Sequence, residues 1–238
     1  MLIFLDLQTT GLQIDDKIVS IGLIAVDGDK ITTKYDLLNE GKKISSEISS
    51  INHITNEMLK DKPNVQDSEI YKFLKEQNNE TNTLIAHNVK FDLQMLSASG
   101  IQWLGNIVDT LRVTKHLIPE CERFSLQFLR YELKLYTKEK NMAVECGINT
   151  NITAHNSLAD SLVIKLLYKY LLENSSLEQM MELSFKNVLM QKLDFGKYEG
   201  KYIEDIVIND VGYLQWMLAN VLDLDEDLRY SINYYLQG

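Results

Sequence analysis

Cysteine is scarce in this chain, with two residues among 238. Cys121 and Cys146 lie far apart and outside any CxxC pair, which argues against a disulfide framework and against a structural zinc site. We expect both to be ordinary thiols.

Long apolar runs are also missing. No segment approaches the roughly 20 consecutive apolar residues that span a bilayer. The first apolar segment, Met1 to Leu7, meets Asp6 too early to form the core of a signal peptide. The sequence therefore predicts a cytoplasmic protein that does not contact a membrane.

Basic residues are fewer than acidic ones, 24 against 34, which gives a formal net charge of −10. This balance argues against a broad basic face that grips duplex DNA, because Lys and Arg supply most non-specific affinity for phosphates. The segment from Arg112 to Lys140 is an exception, with seven Lys or Arg residues and four Glu. It could follow a phosphate backbone, although a solvated helical face is the favoured interpretation.

The rest of the composition is that of a globular protein, with 45% hydrophobic and 24% charged residues. Domains usually contain about 100 to 200 residues. The length therefore fits one full core and a small appendage.

The first forty residues have the pattern of three short strands joined by tight turns. The predicted strands are Leu2–Leu7, Ile18–Val26 and Ile31–Leu38, with turns at Gly11 and at Asp27-Gly28-Asp29. Connections this short predict an antiparallel meander.

Helical patterns follow, with two more strand candidates between them. The helices are expected near Glu57, near Tyr71 and over Val89–Ala98, and the strands at Thr83–Ala86 and Ile107–Val108. Strands followed by alternating α and β segments predict an α/β fold with a mixed five-stranded sheet flanked by helices.

A change of composition near Met190 divides the chain. Before it, the apolar residues from Leu158 to Leu172 predict a helix with a broad buried face, and Ser176 can cap a short helix over Leu177–Leu183. We predict a first domain over residues 1–174, a linker helix over 175–189 and a small α+β module over 190–238.

The small module begins with residues 193–202, where Gly196 and Gly200 punctuate an alternation of aromatic residues and lysines. We expect a hairpin here. Two amphipathic helices, over Gly212–Asn220 and Glu226–Leu236, should then cover its apolar side.

Asp6 ends an otherwise apolar strand, a costly position for a carboxylate unless it is paired, hydrogen-bonded or bound to a cation. Because side chains alternate along a strand, residue 8 points to the same side. A second metal ligand would belong there, and the sequence has Gln8. Taken alone, a carboxylate that caps a turn is the better interpretation of Asp6.

Two further fragments each combine a histidine with an aspartate five residues later. His87 follows a strand, and Asp92 lies where a helix begins, a place that favours negative charge without any chemistry. His155 precedes the long helix, and Ser157 with Asp160 fits a capping box, which would explain the aspartate structurally. Each fragment alone is readily explained as a structural cap. Three of them in one chain are hard to explain as three unrelated caps.

Together these fragments resemble the three motifs of the DEDDh family of 3′→5′ exonucleases, whose first motif reads Asp-x-Glu. They are Asp6-Leu7-Gln8-Thr9-Thr10-Gly11, His87-Asn88…Phe91-Asp92 and His155…Asp160. Landmarks between the motifs are also similar: Ile51-Asn52-His53-Ile54-Thr55, Asp109-Thr110-Leu111 and Ser125-Leu126. Phe195 to Lys201 and Gly212 to Trp216 look like the tail of the exonuclease X subfamily, so the resemblance covers nearly the whole chain.

The resemblance implies a ribonuclease-H-like fold and hydrolysis of phosphodiesters from a 3′ end. It assigns Asp6, Asp92 and Asp160, together with position 8, to two divalent cations, Mg²⁺ or Mn²⁺, and assigns His155 the role of general base. Carboxylates suit such hard cations. An imidazole with an ordinary pKa of about 6.5 suits proton transfer near neutral pH.

The resemblance also implies which residues bind the substrate. Six residues would contact the terminal nucleotide: Thr9, Thr10, Leu12, His87, Asn88 and Phe91. In the tail, Lys197 and Lys201 would contact the phosphates of a single strand while Tyr198 and Tyr202 stack on its bases. The alternative is that the tail is a packing module whose aromatic residues form its core.

Position 8 departs from the family pattern. Glutamine keeps the shape of glutamate but presents a neutral amide, so the site loses one charge and one anionic ligand. We expect weakened metal binding and an impaired or inactive chain. Either an introduced substitution or a natural change of function would account for Gln8, and the retention of His155 favours the first.

The predicted function is a metal-dependent 3′→5′ exonuclease that acts on single-stranded or frayed DNA, with a role in repair or processing. RNA is also open as a substrate. A monomer or a homodimer is expected. The alternative is a catalytically inactive protein that binds nucleic-acid 3′ ends.

Overall fold

A computed structural model describes residues 1–13, 15–149, 154–193 and 195–237. The strands are β1 (Leu2–Thr9), β2 (Ile18–Asp27), β3 (Lys30–Leu37), β4 (Thr83–Ala86) and β5 (Asn106–Asp109). The α-helices are α1 (Ser46–Asn52), α2 (Asn56–Leu59), α3 (Glu69–Glu76), α4 (Val89–Ala98), α5 (Thr110–Leu117), α6 (Leu126–Glu132), α7 (Glu139–Glu145), α8 (Ser157–Leu172), α9 (Leu177–Leu183), α10 (Ile203–Asn220) and α11 (Glu226–Gln237). No helix in these ranges is both long enough and apolar enough to cross a bilayer.

The five strands form one mixed sheet in the order β3-β2-β1-β4-β5. The first three pair antiparallel, as the tight turns predict, and β4 and β5 add in parallel to β1. The predicted mixed sheet with flanking helices is therefore confirmed. Because β1 and β4 are parallel neighbours, the end of β1 and the start of α4 lie at the same edge of the sheet.

The side chains of β1 alternate between two hydrophobic cores. Phe4 packs with α8 on one face of the sheet, where its ring meets that of Tyr168 edge to face at a centroid distance of 5.4 Å. Ile3 and Leu5 pack with α3 and α4 on the other face. Burial on both faces fixes the register of β1, since a slip by one residue would exchange its two sets of side chains.

Gly22 lets α8 approach the sheet closely. A Cβ atom at Gly22 would lie 2.2 Å from the backbone nitrogen of Leu158, so any other residue would push the helix away. The hydroxyl of Ser161 donates to the carbonyl of Gly22 at 2.8 Å. Gly22 also pairs with Asp6 across the β1–β2 ladder, and the first turn of α8 therefore lies beside Asp6.

The tail departs from its predicted hairpin. In the described part of residues 192–202, the only strand-like pairing is an isolated bridge between Lys192 and Tyr202. Gly196 and Gly200 both have positive φ, +81° and +77°, and the N–H of Gly200 donates back to the carbonyl of Leu193 at 2.7 Å. Two tight turns this close together leave no length for a ladder.

The first tail helix also begins earlier than predicted, at Ile203 rather than Gly212. It kinks at Asp210, whose φ of −155° and ψ of 62° are not helical. The Asp210 carboxylate accepts from the N–H of Tyr213 at 3.3 Å and so caps the second segment. The predicted helix corresponds to that segment alone.

A buried carboxylate joins the tail to the rest of the protein. Asp227, at the start of α11, accepts from Nη1 and Nη2 of Arg112 in α5 at 2.9 and 3.0 Å, and from the N–H of Val188 at 2.9 Å. The tail has its own core, in which Leu193, Ile206 and Leu228 are buried. The domain boundaries stay a prediction.

Replacing Asp227 with alanine should loosen the tail. The change leaves the half-buried Arg112 without its carboxylate partner, and the loss of a hydrogen bond to a charged group costs about 1.5–3 kcal/mol. Hydrogen exchange over residues 186–237 should quicken, whereas Asp223→Ala on the exposed preceding turn should leave it unchanged. Equal exchange rates in the two variants would contradict the anchoring role.

Candidate active site

Asp6 and Gln8 lie on the same side of β1, as the alternation of a strand predicts. The Gln8 amide nitrogen donates to the Asp6 Oδ2 at 2.9 Å, and both side chains are partly buried. An amide donor therefore occupies a carboxylate oxygen at the place where the family motif has a second carboxylate.

Asp92 is buried in the first turn of α4, at the same sheet edge. The turn that leads into α4 is held by a second buried carboxylate, since Oδ1 of Asp109 accepts from the N–H of Asn88 and from that of Leu111, both at 3.0 Å. The predicted landmark around Asp109 thus positions the turn that carries Asp92.

Asp160 is buried in the first turn of α8, but no capping box holds it there. The N-cap is Asn156, which accepts from the N–H of Ala159 at 3.1 Å, and Ser157 is already the first helical residue. The predicted Ser157–Asp160 capping box is wrong because the helix starts one position earlier than that motif requires. The Asp160 Oδ1 instead accepts from the amide of Gln127 at 2.6 Å.

The three aspartates share one electrostatic environment. Burial raises the pKa of Asp6 well above its usual value, and the charges of Asp160 and Asp92 raise it further, against the opposing hydrogen bond from Gln8. Burial and then the charge of Asp109 raise the pKa of Asp92. Burial raises the pKa of Asp160 to about 7, although the Arg130 guanidinium opposes it. The site concentrates negative charge that a cation would offset.

The donors fit divalent cations by their chemistry, because carboxylate oxygens are the ligands that such hard ions prefer. These side chains do not form a ready metal-binding group. In the described chain, no three His, Cys, Asp or Glu residues lie close enough together to hold an ion. Asp6 and Asp160 each have an oxygen bound to an amide. Cation binding at these aspartates would replace those hydrogen bonds.

His155 lies beside the aspartates on the turn before α8. Its backbone N–H donates to the Asp160 carboxylate, and its φ of +58° is in the left-handed region, which is uncommon for a residue other than glycine. Partial burial and the nearby charge of His53 lower the pKa of the His155 imidazole. Its ring is therefore neutral at pH 7, the state in which it can accept a proton.

Comparison with protein families identifies this arrangement. Residues 3–168 match the family model described as Exonuclease. The chain belongs to the exonuclease family. Residues 193–221 match a second model, the exodeoxyribonuclease X-like C-terminal region.

Several relatives and solved structures resemble this exonuclease. Exodeoxyribonuclease 10 of Escherichia coli is 27% identical over the full length of both chains. The DNA polymerase III epsilon subunit of Treponema pallidum is 30% identical, over 68% of this chain and 72% of its own. The structure of exonuclease X with 5′ overhanging duplex DNA is 25% identical, with a TM-score of 0.59 over 77% of this chain and 99% of that one. Exonuclease I shares the fold, at 16% identity and a TM-score of 0.53, over 76% of this chain and 42% of its own.

The threonines after β1 shape the loop that follows the first exonuclease motif. The Thr9 hydroxyl donates to the carbonyl of Gly11, and the Thr10 hydroxyl donates to Oδ1 of Asp16, both at 2.6 Å. Both threonines are buried, whereas Leu12 is 81% exposed. The loop thus exposes an apolar side chain to solvent six residues after Asp6.

The His87 ring makes its contacts within the exonuclease domain. Its Nδ1 lies 3.0 Å from the Thr110 hydroxyl and its Nε2 lies 2.7 Å from the carbonyl oxygen of Phe124. Burial lowers the pKa of this imidazole to about 4, so the ring is neutral. Because both ring nitrogens have partners, the observed contacts favour a structural role over nucleotide binding. Asn88 is exposed and Phe91 is half-buried near the same turn.

Two of the four tail residues that were predicted to contact a single strand bind other residues of the tail instead. Lys197 pairs with Asp210 at 2.9 Å, and the Tyr198 hydroxyl donates to the same carboxylate at 2.7 Å. The Tyr198 and Tyr213 rings pack edge to face against the tail core. For these residues the structure favours the packing alternative, while Lys201 is exposed.

Sequence reasoning missed a chain of side chains that reaches Asp160. Arg130 and Glu139 form a buried ion pair, and Arg130 also donates to Oε1 of Gln127 at 3.1 Å. Since Oε1 of Gln127 is an acceptor, its amide nitrogen faces Asp160. The only signal was position, because Gln127 follows the Ser125-Leu126 landmark and Ser125 is the N-cap of α6.

Replacing Asp160 with asparagine should stabilise the metal-free exonuclease at neutral pH. An aspartate whose pKa is raised by folding has no effect below its unfolded pKa of about 3.9 and destabilises the fold increasingly as pH rises to about 7. In EDTA at pH 8, urea unfolding should show a gain on the order of 2–4 kcal/mol, and at pH 4 almost none. A gain that is independent of pH would contradict the assignment; Asp223→Asn is the surface control.

Replacing Gln127 with leucine should raise the pKa of Asp160 further, because its hydrogen bond favours the charged carboxylate. A hydrogen bond to a charged group contributes about 1.5–3 kcal/mol, which corresponds to a rise of about one to two units. Carboxyl ¹³C NMR titration in EDTA measures this change. Gln179→Leu on the exposed face of α9 should have no effect, and an unchanged Asp160 titration in the Gln127 variant would refute the contact.

Proposed function

We propose that this exonuclease hydrolyses DNA from the 3′ end with the help of divalent cations, and that Gln8 impairs the reaction. The observation that supports this most strongly is that Asp6, Asp92 and Asp160 lie close enough for the charges of Asp160 and Asp92 to raise the pKa of Asp6. These are the three aspartates that the family motifs supply, and they come from three separate elements to one sheet edge. Structural caps alone would not need to lie at one edge of the sheet.

The aspartates would hold two ions, Mg²⁺ or Mn²⁺, with position 8 as a fourth ligand in the family pattern. When bound, the cations supply a lower pKa for the attacking water and stabilise negative charge on the reacting phosphate. His155 would act as the general base that accepts the proton of the water. Its link to the Asp160 carboxylate through the backbone positions the imidazole at the edge of the metal site.

The substrate assignment draws on the relatives and on the loop after β1. Exodeoxyribonuclease 10 is similar over its whole length, and the exonuclease X structure contains duplex DNA with a 5′ overhang. The exposed Leu12, held by the hydrogen bonds of Thr9 and Thr10, suits a wedge against the terminal base. We infer that DNA ends, single-stranded or frayed, are the substrate, and that repair or processing is the role.

Gln8 affects the site in two ways. It removes one anionic ligand, and its amide donates to the Asp6 oxygen that a cation would need. Both effects would weaken cation binding while keeping a side chain of the same shape at position 8. The same observations support a second candidate function, a protein that retains the exonuclease fold to bind 3′ ends without cutting them.

Restoring glutamate at position 8 separates the two functions. If the chain is an impaired exonuclease, Gln8→Glu should increase the rate on 5′-labelled single-stranded DNA about 100-fold or more, equivalent to about 3 kcal/mol. The label should shorten stepwise in Mg²⁺ and not in EDTA. Gln8→Glu combined with Asp160→Asn is the inactive control.

The other outcomes are equally informative. If Gln8→Glu cuts no DNA or RNA 3′ end while still binding it, the enzyme proposal fails and the binding function takes its place. If both chains cut at the same rate, residue 8 does not serve as a metal ligand.

A further inference from the structure

A cleft of about 580 Å³ lies between the segment 115–124 of the first domain and the segment 188–202 that leads into the tail. Its size is in the range of pockets that hold drug-sized molecules, which is room for about one or two nucleotides and not for a duplex. Neither segment belongs to the three exonuclease motifs.

The cleft adjoins the candidate active site through its wall. Phe124 lines the cleft, and its carbonyl oxygen is the partner of the His87 ring in the second motif. Lys115 also lines the cleft, close enough that its charge lowers the pKa of His87. The wall of the cleft is therefore in direct contact with the second motif.

The walls combine cations with aromatic surface. Lys115 and Arg123 lie on one wall, and Lys192 lies on the other with its ammonium 4.7 Å from the centre of the Tyr202 ring. The Tyr202 side chain is 48% exposed, so its ring is open to a ligand. Grooves for single-stranded nucleic acid have this combination of basic groups with stacking surfaces.

Acidic residues also line the cleft: Glu120, Glu122 and Glu199. All three are exposed, and their charges oppose those of the three cations. This balance argues against a strongly held polyanion such as a duplex. It fits a single strand that is held partly by stacking and that must slide as the end is shortened.

The two walls are fixed relative to each other. Asp227 binds both the Arg112 guanidinium, which lies on α5 one turn before Lys115, and the N–H of Val188, at the start of the opposite wall. The cleft is thus present before any ligand binds, which lowers the entropic cost of binding.

We propose that this cleft binds the single-stranded part of the substrate immediately 5′ of the nucleotides in the active site. The inference rests on the proposed function only in placing the 3′ end at the aspartates. It keeps the predicted stacking role of Tyr202 but assigns the phosphate contact in the tail to Lys192 rather than to Lys197 or Lys201.

Cys121 provides a direct test, because it lines the cleft whereas Cys146 is buried. The chain is treated with N-ethylmaleimide at pH 8.5, since burial raises the pKa of the Cys121 thiol. EDTA prevents cleavage, so the readout is independent of catalysis. Fluorescence anisotropy first gives the Kd of a four-nucleotide and a twelve-nucleotide oligothymidylate.

With the longer oligonucleotide at about ten times its Kd, alkylation of Cys121 should slow about tenfold. The shorter one, bound to the same extent, should leave the rate unchanged because it fills only the active site. Unprotected Cys121 with the longer strand bound, or no binding of either strand, would overturn the proposal. If the longer strand protects Cys121 but Gln8→Glu has no nuclease activity, the cleft proposal stands and the enzyme proposal fails.

Charge reversal provides the second test. Arg123→Glu with Lys192→Glu should weaken binding of the twelve-nucleotide strand about tenfold and reduce the slope of log K against log salt by about 0.7 for each lost phosphate contact. Binding of the four-nucleotide strand should be unchanged, which also shows that the variant is folded. Lys201→Glu, in the same segment but outside the cleft, is the matched control. An equal loss in that control would place the strand on the outer face of the tail instead.

Discussion

The candidate site depends on the close approach of α8 to β2 at Gly22. Without a side chain at this position, the start of α8 packs directly on the backbone of β2, and Ser161 bonds to the exposed carbonyl of Gly22. Because Gly22 is the ladder partner of Asp6, the approach brings the turn that contains Asp160 and His155 to the end of β1. Parallel pairing of β1 with β4 brings Asp92 to the same edge.

This convergence has a thermodynamic cost. Burial raises the pKa of all three aspartates, and the charges of Asp160 and Asp92 raise that of Asp6 further, so each carboxylate destabilises the fold as pH rises toward the neutral range where the site would work. The hydrogen bond from Gln127, held in place by the Arg130–Glu139 pair, offsets part of that cost at Asp160. The second layer of side chains therefore belongs to the site as much as the aspartates do, since it favours the charged form of Asp160 and orients its carboxylate.

The sequence was most informative where the pattern is local. Helices α4 and α9 have the predicted bounds, and Gln8 lies on the same side as Asp6, because strand and helix periodicity determine these features. The family resemblance, not the spacing, singled out the aspartates from helix caps. Contacts between distant segments left no pattern: Gln127 with Asp160, Asp227 with Arg112, and the cleft walls. The hairpin prediction was wrong because Gly196 and Gly200 each form a tight turn, and together the turns leave no length for paired strands.

Position 8 shows how stability and activity are opposed in such a site. Glutamine donates a hydrogen bond to Asp6, which favours the charged carboxylate and relieves part of the repulsion among the aspartates. Glutamate at the same position would add a fourth negative charge to a buried cluster and would raise the neighbouring pKa values further. The repulsion that destabilises the empty site is the same interaction that attracts cations. We therefore expect a glutamine here to give a more stable protein that binds metal more weakly, whether the residue was introduced or arose naturally.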